Sequence, residues 1–180
     1  MKLLLMNALI LIHRGFKKIC KVMLTLFYSL AINKVGAGLY VNGVIKSNCL
    51  DKISFGKKVV VGQNVQISSE LHSGQLVVGD NTSIADDCHI DISGGLAIAD
   101  EVVLSKGVMI FTHDHGQDPR SIPKGKSLEI KSKVWLGARV IVLQDVEFLA
   151  EGVVVGAGAI VTKSLIEPGV YLGAPAKRIK

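Results

Sequence analysis

The sequence contains few aromatic residues. Phenylalanine, tryptophan and tyrosine make up 5% of its 180 residues, although 49% of the residues are hydrophobic. Any hydrophobic core must therefore consist of valine, isoleucine, leucine and alanine side chains. Charged residues account for only 20% of the chain, which is too few for an extended coiled coil, while the hydrophobic content excludes a disordered chain.

Cysteine is also scarce. Cys20, Cys49 and Cys88 have no C-x-x-C spacing, and any disulfide would leave one of them unpaired. This pattern argues against a disulfide or zinc framework. It is typical of reduced, buried thiols in a cytoplasmic protein.

Acidic residues are missing from residues 1–50, which hold seven of the 21 Lys and Arg residues. Residues 51–180 carry the other 14 basic residues together with all 15 acidic residues. The positive net charge therefore belongs to the N-terminal segment alone. A nucleic-acid-binding protein is expected to carry basic residues on its folded domain, among stacking aromatic residues. We therefore expect no nucleic acid partner.

The N-terminal segment is hydrophobic with one polar stripe at helical spacing, which predicts an amphipathic basic helix within residues 1–40. The stripe consists of Asn7, Arg14, Lys18, Lys21, Thr25 and Ser29. Residues 3–12 form the longest charge-free run, which is half of the ~20 residues that span a bilayer. We expect this helix to pack on its own domain, to pack on a neighbouring subunit, or to lie on an anionic membrane through residues 1–35. A transmembrane or cleaved segment is the remaining alternative. The expected location is therefore cytoplasmic, either free or peripheral at the inner face of the membrane.

Aliphatic residues recur at six-residue intervals from about residue 53 onward. Short strands joined by tight turns produce this spacing, and three such strands would form an 18-residue coil. Residues 53–175 would then stack as about seven coils. One extra residue appears between Phe148 and Val155. The clearest runs are Val78, Ile84 and Ile90; Ile98, Leu104 and Ile110; and Ile130, Leu136, Val142 and Phe148.

The longest interruption of this spacing is an excursion loop at about residues 112–128. Ile130 follows Ile110 by 20 positions where 18 are expected, and the residues between them include His113 and His115. Loops on a rigid scaffold commonly carry catalytic residues. Histidine is the side chain whose ordinary pKa lies near neutral pH. The loop is therefore the candidate catalytic segment.

The repeat of an aliphatic residue, then a small residue, then a small or β-branched residue resembles the hexapeptide-repeat family over about residues 53–180. This resemblance implies an all-β solenoid, a left-handed parallel β-helix, over residues 41–180. The handedness comes from the resemblance, not from the spacing. The amphipathic helical segment of residues 1–40 would precede the β-helix domain.

Two further stretches resemble the acetyl-CoA-binding half of the hexapeptide-repeat O-acetyltransferases. They are residues 134–138 and the Gly- and Ala-rich residues 156–180. The pattern is closest to the galactoside, maltose and nodulation-factor group, whose relatives modify surface polysaccharides. The resemblance implies a homotrimeric, CoA-dependent acyltransferase that moves acetyl from acetyl-CoA to a hydroxyl of a sugar or surface polysaccharide precursor. The implied cofactor-binding residues are Trp135, Ala138, Ala157, Thr162, Lys163, Lys177 and Lys180.

The family's catalytic motif is a histidine followed by Asp-Pro and Arg, and it matches His115, Asp118, Pro119 and Arg120. It implies that His115 is the general base of a direct transfer in a ternary complex. His113, Asp114 and Asp118 are supporting candidates. The second ring nitrogen of His115 needs an acceptor, which Asp114, Asp118 or a backbone carbonyl could provide. The family's acceptor-binding helix is not recognisable in residues 1–40, so the acceptor does not follow from the resemblance.

Three alternatives stay open. One is N-acetyl transfer to an amino or nucleotide sugar, and another is a non-catalytic β-helix scaffold. The third is a zinc enzyme that resembles the gamma-class carbonic anhydrases, with ligands drawn from His72, His89, His113 and His115. The zinc enzyme leaves the acetyl-CoA-like stretch unexplained, so we expect no metal cofactor.

Overall fold

A computed structural model describes residues 2–71 and 73–180. The chain begins with one α-helix, Lys2–Ala31, and continues as a parallel β-solenoid of about seven turns with three faces. This architecture confirms the predicted all-β solenoid with an N-terminal helix. The short helix Leu50–Lys52 lies between the first two coils.

Each face is a stack of short parallel strands. The first face contains Lys34–Val35, Ile53–Phe55, Leu76–Val78, Leu96–Ile98, Leu128–Ile130 and Phe148–Leu149. The second contains Tyr40–Val41, Val60–Val61, Ser83–Ile84, Val103–Leu104, Trp135–Leu136, Val153–Val155 and Gly169–Leu172, with Lys177–Arg178 antiparallel at its end. The third contains Lys46–Ser47, Gln66–Ser68, His89–Asp91, Met109–Ile110, Ile141–Val142 and Ile160–Val161.

The core is a column of mostly aliphatic side chains, to which most strands contribute one or two buried residues. On the second face, Ile84, Leu104 and Leu136 lie in register on neighbouring strands and are fully buried. Burying one such side chain contributes about 1.5–3 kcal/mol. The column is narrow, which agrees with the low aromatic content.

The predicted coil length of 18 residues is wrong. Val77 pairs with Ala97 and Ser83 pairs with Val103, so a regular coil contains 20 residues. The two additional residues lie between the third and first faces, where the chain takes a wider turn. The solenoid also begins earlier than residue 53, at Lys34–Val35.

The extra residue assigned between Phe148 and Val155 is also misplaced. Leu149 pairs with Ile130 and is fully buried, whereas Phe148 pairs with the outward residue Glu129 and is half-buried. The extra residue therefore precedes Leu149, and the chain from Leu149 to Val161 keeps its regular register. The ring of Phe148 instead packs beneath Lys131, whose Nζ lies 5.5 Å from the ring centroid.

Two excursions leave the solenoid from the edge between the third and first faces, which we call the loop corner. One spans residues 69–75 and was not predicted. The other spans residues 111–127 and contains an antiparallel pair of strands, His113–Asp114 and Lys124–Gly125. The loop corner therefore carries both irregular segments side by side.

A second long edge, between the second and third faces, is regular, and we call it the glycine corner. In five successive coils one residue of this corner adopts a positive φ, which closes a tight turn. The equivalent residues are Asn64, Asp87, Gly107, Arg139 and Gly158, with φ between 54° and 72°.

The N-terminal helix packs on the first coil of its own domain. Tyr28 and Ile32 are buried, and the backbone N–H of Ile45 donates to the Tyr28 hydroxyl at 2.9 Å. The Thr25 hydroxyl accepts from the N–H of Val41 at 3.1 Å. Among the described residues, no helix has the length and hydropathy needed to cross a bilayer.

Candidate active site

The two loop histidines lie next to each other at the loop corner. They are two residues apart at the start of the hairpin, so their side chains lie on the same side of the strand. The rings make an edge-to-face contact with centroids 5.4 Å apart. His113 and His115 are thus brought together.

The root of the loop is held by a buried carboxylate. Asp91, on the third face, accepts hydrogen bonds from the backbone N–H and the hydroxyl of Thr112 at 2.8 Å and 2.7 Å. The Ser93 hydroxyl donates to its other oxygen at 2.6 Å. Burial raises the pKa of Asp91, but the hydrogen bonds from Ser93 and Thr112 and the close contact with His113 lower it by more, so the net pKa lies below the ordinary value. Asp91 is therefore a carboxylate at neutral pH.

Asp91 also supports His113. Nδ1 of His113 lies 2.9 Å from Oδ2 of Asp91, at ion-pair distance but off the axis of a well-aligned hydrogen bond. The His113 side chain is largely buried, at 18% exposure. This contact directs Nε2 of His113 away from the solenoid.

His115 is oriented by the loop itself. Its Nδ1 lies 2.8 Å from the carbonyl oxygen of Ser121, and the Ser121 hydroxyl donates back to the His115 carbonyl. The pKa of His115 lies above its ordinary value, mainly because of the contact with the Ser121 carbonyl and secondly because of the contact with Glu70. Of the three proposed acceptors for this ring, the one in contact is a backbone carbonyl.

Asp114 and Asp118 contact the loop backbone instead of the imidazole ring. Asp114 accepts from the N–H of Gly116 at 2.8 Å, and Asp118 accepts from the N–H of Arg120 at 2.9 Å. These are local turn contacts of the kind that Asp commonly makes. Both carboxylates therefore shape the loop that holds His115.

Glu70 was missed by the sequence analysis, yet it contacts both histidines. Its Oε2 lies 2.8 Å from Nε2 of His113 and 3.2 Å from Nε2 of His115. The backbone N–H of Glu70 donates to the Ser93 hydroxyl at 2.8 Å, which ties the first excursion to Asp91. The available signal was the eleven-residue gap between Ile67 and Val78.

A shallow groove runs along the third face beside these residues. Ser68, Glu70, Asp91 and His113 are among the residues that line it. The ring of Phe111 packs edge-to-face against His89 at 5.8 Å. An aromatic wall with a few polar groups is typical of small-molecule sites. The remaining lining residues are Asn48, Gln66, Ser69, His89 and Phe111.

Of the zinc-ligand candidates among the described residues, His113 and His115 are brought together and His89 is not. His89 faces Phe111 and is not part of the cluster, whereas His72 lies outside the described residues. Glu70 contributes the third potential ligand atom.

The predicted cofactor residues lie elsewhere on the solenoid. Ala138 and Ala157 are exposed on consecutive coils of the glycine corner, where the N–H of Gly158 donates to the Ala138 carbonyl at 2.8 Å. Trp135 is 52% exposed on the second face, and its Nε1 donates to the Ser105 hydroxyl at 2.9 Å.

The C-terminal members of the set lie around the last coil. Lys163 and Lys177 line one cleft there, while Thr162 and Lys180 are exposed. The structure therefore groups Ala138 with Ala157 and Lys163 with Lys177. It puts the glycine corner and the histidines on different edges of one chain.

No protein-family model matches the chain. A putative lipopolysaccharide biosynthesis O-acetyl transferase of Escherichia coli is 31% identical over 141 residues, which are 71% of this chain and 71% of that protein. The chain belongs to the hexapeptide-repeat acetyltransferase family. This membership confirms the predicted enzyme class.

Solved structures agree with the family fold. A maltose O-acetyltransferase from Clostridium difficile matches this acetyltransferase with a TM-score of 0.58 and 26% identity, covering 85% of this chain and 71% of that chain. The Bacillus cereus N-acyltransferase AntD, a mutant bound to dTDP-4-amino-4,6-dideoxyglucose and coenzyme A, matches with a TM-score of 0.75 and 20% identity over 86% of both chains. The AntD similarity concerns the fold alone.

Proposed function

We propose that this acetyltransferase moves acetyl from acetyl-CoA to a hydroxyl of a sugar or a surface polysaccharide precursor, with His115 as general base. The observation that carries the proposal is the contact between Nδ1 of His115 and the Ser121 carbonyl. It fixes the ring tautomer with the proton on Nδ1 and leaves the lone pair on Nε2. The relative from E. coli supports O-acetyl transfer in polysaccharide synthesis.

The reaction needs one proton transfer in each direction. Nε2 of neutral His115 accepts the proton of the sugar hydroxyl while the hydroxyl oxygen attacks the thioester carbon. The tetrahedral intermediate then expels the CoA thiolate, which takes that proton from Nε2. The products are the O-acetyl sugar and free CoA, and no acetyl-enzyme forms.

We propose that the acceptor lies in the groove along the third face. The groove opens beside the histidine cluster, and Phe111 offers an apolar surface for a sugar ring. Gln66 and Asn48 offer amide groups that can donate to and accept from sugar hydroxyls. Acceptor binding here would bring a hydroxyl to the same edge of the solenoid as His115.

We propose that acetyl-CoA binds along the glycine corner, through Trp135, Ala138 and Ala157. Small side chains on this corner let a long ligand approach the backbone. Lys163, Lys177 and Lys180, near the last coil, offer positive charge for phosphate groups, and Thr162 offers a hydroxyl. The N-acyltransferase AntD, which shares the fold, binds coenzyme A.

We propose that the enzyme is a homotrimer. The glycine corner, which carries Ala157, and the loop corner, which carries His115, are different edges of one prism. In a cyclic trimer, the glycine corner of one subunit can face the loop corner of the next. Acetyl-CoA would then bind between subunits.

We propose that the N-terminal helix also contacts an anionic membrane surface from the cytoplasmic side. Tyr28 faces the solenoid, but the outer face of the helix carries large apolar side chains that are more than half exposed. No acidic residue lies in residues 1–50 to oppose binding to anionic lipid. The outer face consists of Ile19, Val22, Met23, Leu26, Phe27 and Leu30.

The decisive experiment measures CoA thiol release from acetyl-CoA with a panel of sugars and polysaccharide fragments. Acceptor-dependent release should fall about 100-fold or more in His115→Ala, which is the usual contribution of one general base. Unchanged release in that variant would remove His115 from its role. If acetylated products form only with amino sugars, the reaction is N-acetyl transfer and the O-acetyl transfer proposal is wrong.

Cofactor binding has its own reporter. Trp135 is the one tryptophan in the chain, so its fluorescence should change on titration with CoA. If neither thiol release nor CoA binding is detected, the acetyltransferase proposal is wrong and the non-catalytic scaffold is the remaining hypothesis.

A further inference from the structure

Three potential metal-ligand atoms converge at the loop corner. Oε2 of Glu70, Nε2 of His113 and Nε2 of His115 all lie within 4.8 Å of one another. In a tetrahedral zinc site with bonds of 2.0–2.1 Å, neighbouring ligand atoms are about 3.3 Å apart. The two distances from Glu70, 2.8 Å and 3.2 Å, are already close to that spacing.

Each histidine is also supported on its far side. Nδ1 of His113 faces the Asp91 carboxylate, and Nδ1 of His115 faces the Ser121 carbonyl. Histidines that bind metals almost always have their second nitrogen against such an acceptor, which fixes the ring and increases ligand basicity.

This arrangement leaves a positive charge to be supplied. Both Nδ1 atoms face acceptors on the far side of the rings, so the Nε2 atoms are the ring nitrogens that point into the cluster. Both Nε2 atoms approach the same carboxylate oxygen of Glu70. Three electron-rich atoms repel one another unless a proton or a cation lies between them.

We propose that Glu70, His113 and His115 form a zinc-binding site, with Asp91 and Ser121 as its supporting acceptors. Two imidazoles and one carboxylate match the ligand set of three-ligand zinc sites, which keep a fourth position for water. Mg²⁺ and Ca²⁺ prefer sets made only of oxygen atoms, so they fit this cluster poorly.

Zinc bound at this site is an inhibitor of the transfer reaction and not its cofactor. Coordination uses the Nε2 lone pair of His115, so the ring can no longer accept the acceptor's proton. This regulatory consequence rests on the proposed function, whereas the site itself does not. Micromolar zinc should therefore inhibit thiol release, and a chelator should restore it.

Zinc binding is tested on the full chain without acetyl-CoA, by competition between the stripped protein and a chromogenic zinc chelator. Co²⁺ provides a second probe through its visible absorption. One equivalent should bind, and Glu70→Gln and His113→Gln should each weaken binding at least about 10-fold. Asp91→Asn should weaken it by about 10- to 100-fold, as expected for a supporting acceptor. His89→Gln is the matched control, because His89 lies in the same groove but outside the cluster.

The outcomes separate the two proposals. Stoichiometric binding that is lost in Glu70→Gln and kept in His89→Gln supports the site even if no acceptor is ever acetylated. No stoichiometric binding, or equal loss in His89→Gln, overturns the site even if the enzyme is active. Circular dichroism of each variant excludes unfolding as the cause of a lost signal.

Discussion

Thr112 donates two hydrogen bonds to a single oxygen of Asp91, 21 residues earlier in the chain. One comes from the Thr112 backbone N–H and the other from its hydroxyl. The Thr112 hydroxyl also accepts from the N–H of Gly94 at 3.0 Å. This buried junction fixes the point where the histidine loop leaves the solenoid.

Thr112→Val should lower the free energy of unfolding by about 1–3 kcal/mol, because it removes one donor from a buried carboxylate and leaves the Gly94 N–H unpaired. It should also lower kcat, since the loop root then keeps only the backbone hydrogen bond to Asp91. Urea unfolding and thiol release measure the two effects. Thr82→Val is the matched control, since Thr82 is equally buried and hydrogen-bonded but remote from the loop. An equal loss of kcat in both variants would mean that Thr112 acts through stability alone.

Gly94 leaves no space for a side chain between the two ends of the histidine loop. A Cβ there would lie 2.3 Å from the Thr112 carbonyl oxygen and 2.3 Å from the Lys126 nitrogen. Gly94→Ala should therefore cost about 1–3 kcal/mol of stability and reduce transfer, as measured by urea unfolding and thiol release. Gly15→Ala should instead raise the free energy of unfolding by up to about 1 kcal/mol. Alanine favours the helix more than glycine does, and a Cβ at this position has no atom within 4 Å. If Gly94→Ala changes neither stability nor activity, the prediction is wrong, and the two ends of the loop can move apart to make room for the side chain.

Cys88 should resist alkylation in the folded enzyme. Burial raises the pKa of its thiol to about 11, so only about one molecule in a thousand carries the thiolate at pH 8. The thiolate is the reactive form, and reactivity should therefore rise only as the pH approaches 11. Iodoacetamide labelling at pH 8 followed by peptide mass spectrometry should find Cys88 unmodified, with all three cysteines modified after denaturation. Rapid labelling of Cys88 in folded protein would contradict this environment.

The exposed face of the N-terminal helix should bind anionic vesicles. Phe27→Glu should reduce co-sedimentation with vesicles containing phosphatidylglycerol, because it adds an acidic charge in the middle of that face. Ile166→Glu makes the same change at an exposed residue on the last coil and should leave binding intact. If the wild-type protein stays in the supernatant, membrane binding is contradicted and the face is assigned to contact with another subunit. Light scattering would then show whether Phe27→Glu dissociates an oligomer.

Much of the fold could be predicted because the inward residues of the solenoid form a local pattern. Ile98, Leu104 and Ile110 follow one another at six-residue spacing, and all three are buried in the core. The coil length was misjudged because the two additional residues sit at the loop corner and contribute no regular aliphatic position. Phe148 and Leu149 are adjacent hydrophobic residues, so spacing alone could not distinguish which of them points inward.

The candidate site was less accessible to sequence reasoning. The histidines stand out in one short loop, but the residues that surround them are distant along the chain. Glu70 reaches His115 across 45 positions, and Asp91 contacts His113 from a neighbouring coil. Such contacts depend on the stacking register and on an excursion at residues 69–75, neither of which appears as a motif.

The packing of the helix on the first coil also limits self-assembly. A parallel solenoid ends in a row of unpaired backbone groups, on which another chain could add strands without limit. Here two of the N–H groups at that end, those of Val41 and Ile45, are occupied by the hydroxyls of Thr25 and Tyr28. The helix therefore hinders the addition of strands from another chain at this end. Removal of the residues that precede Lys34 would expose these N–H groups again.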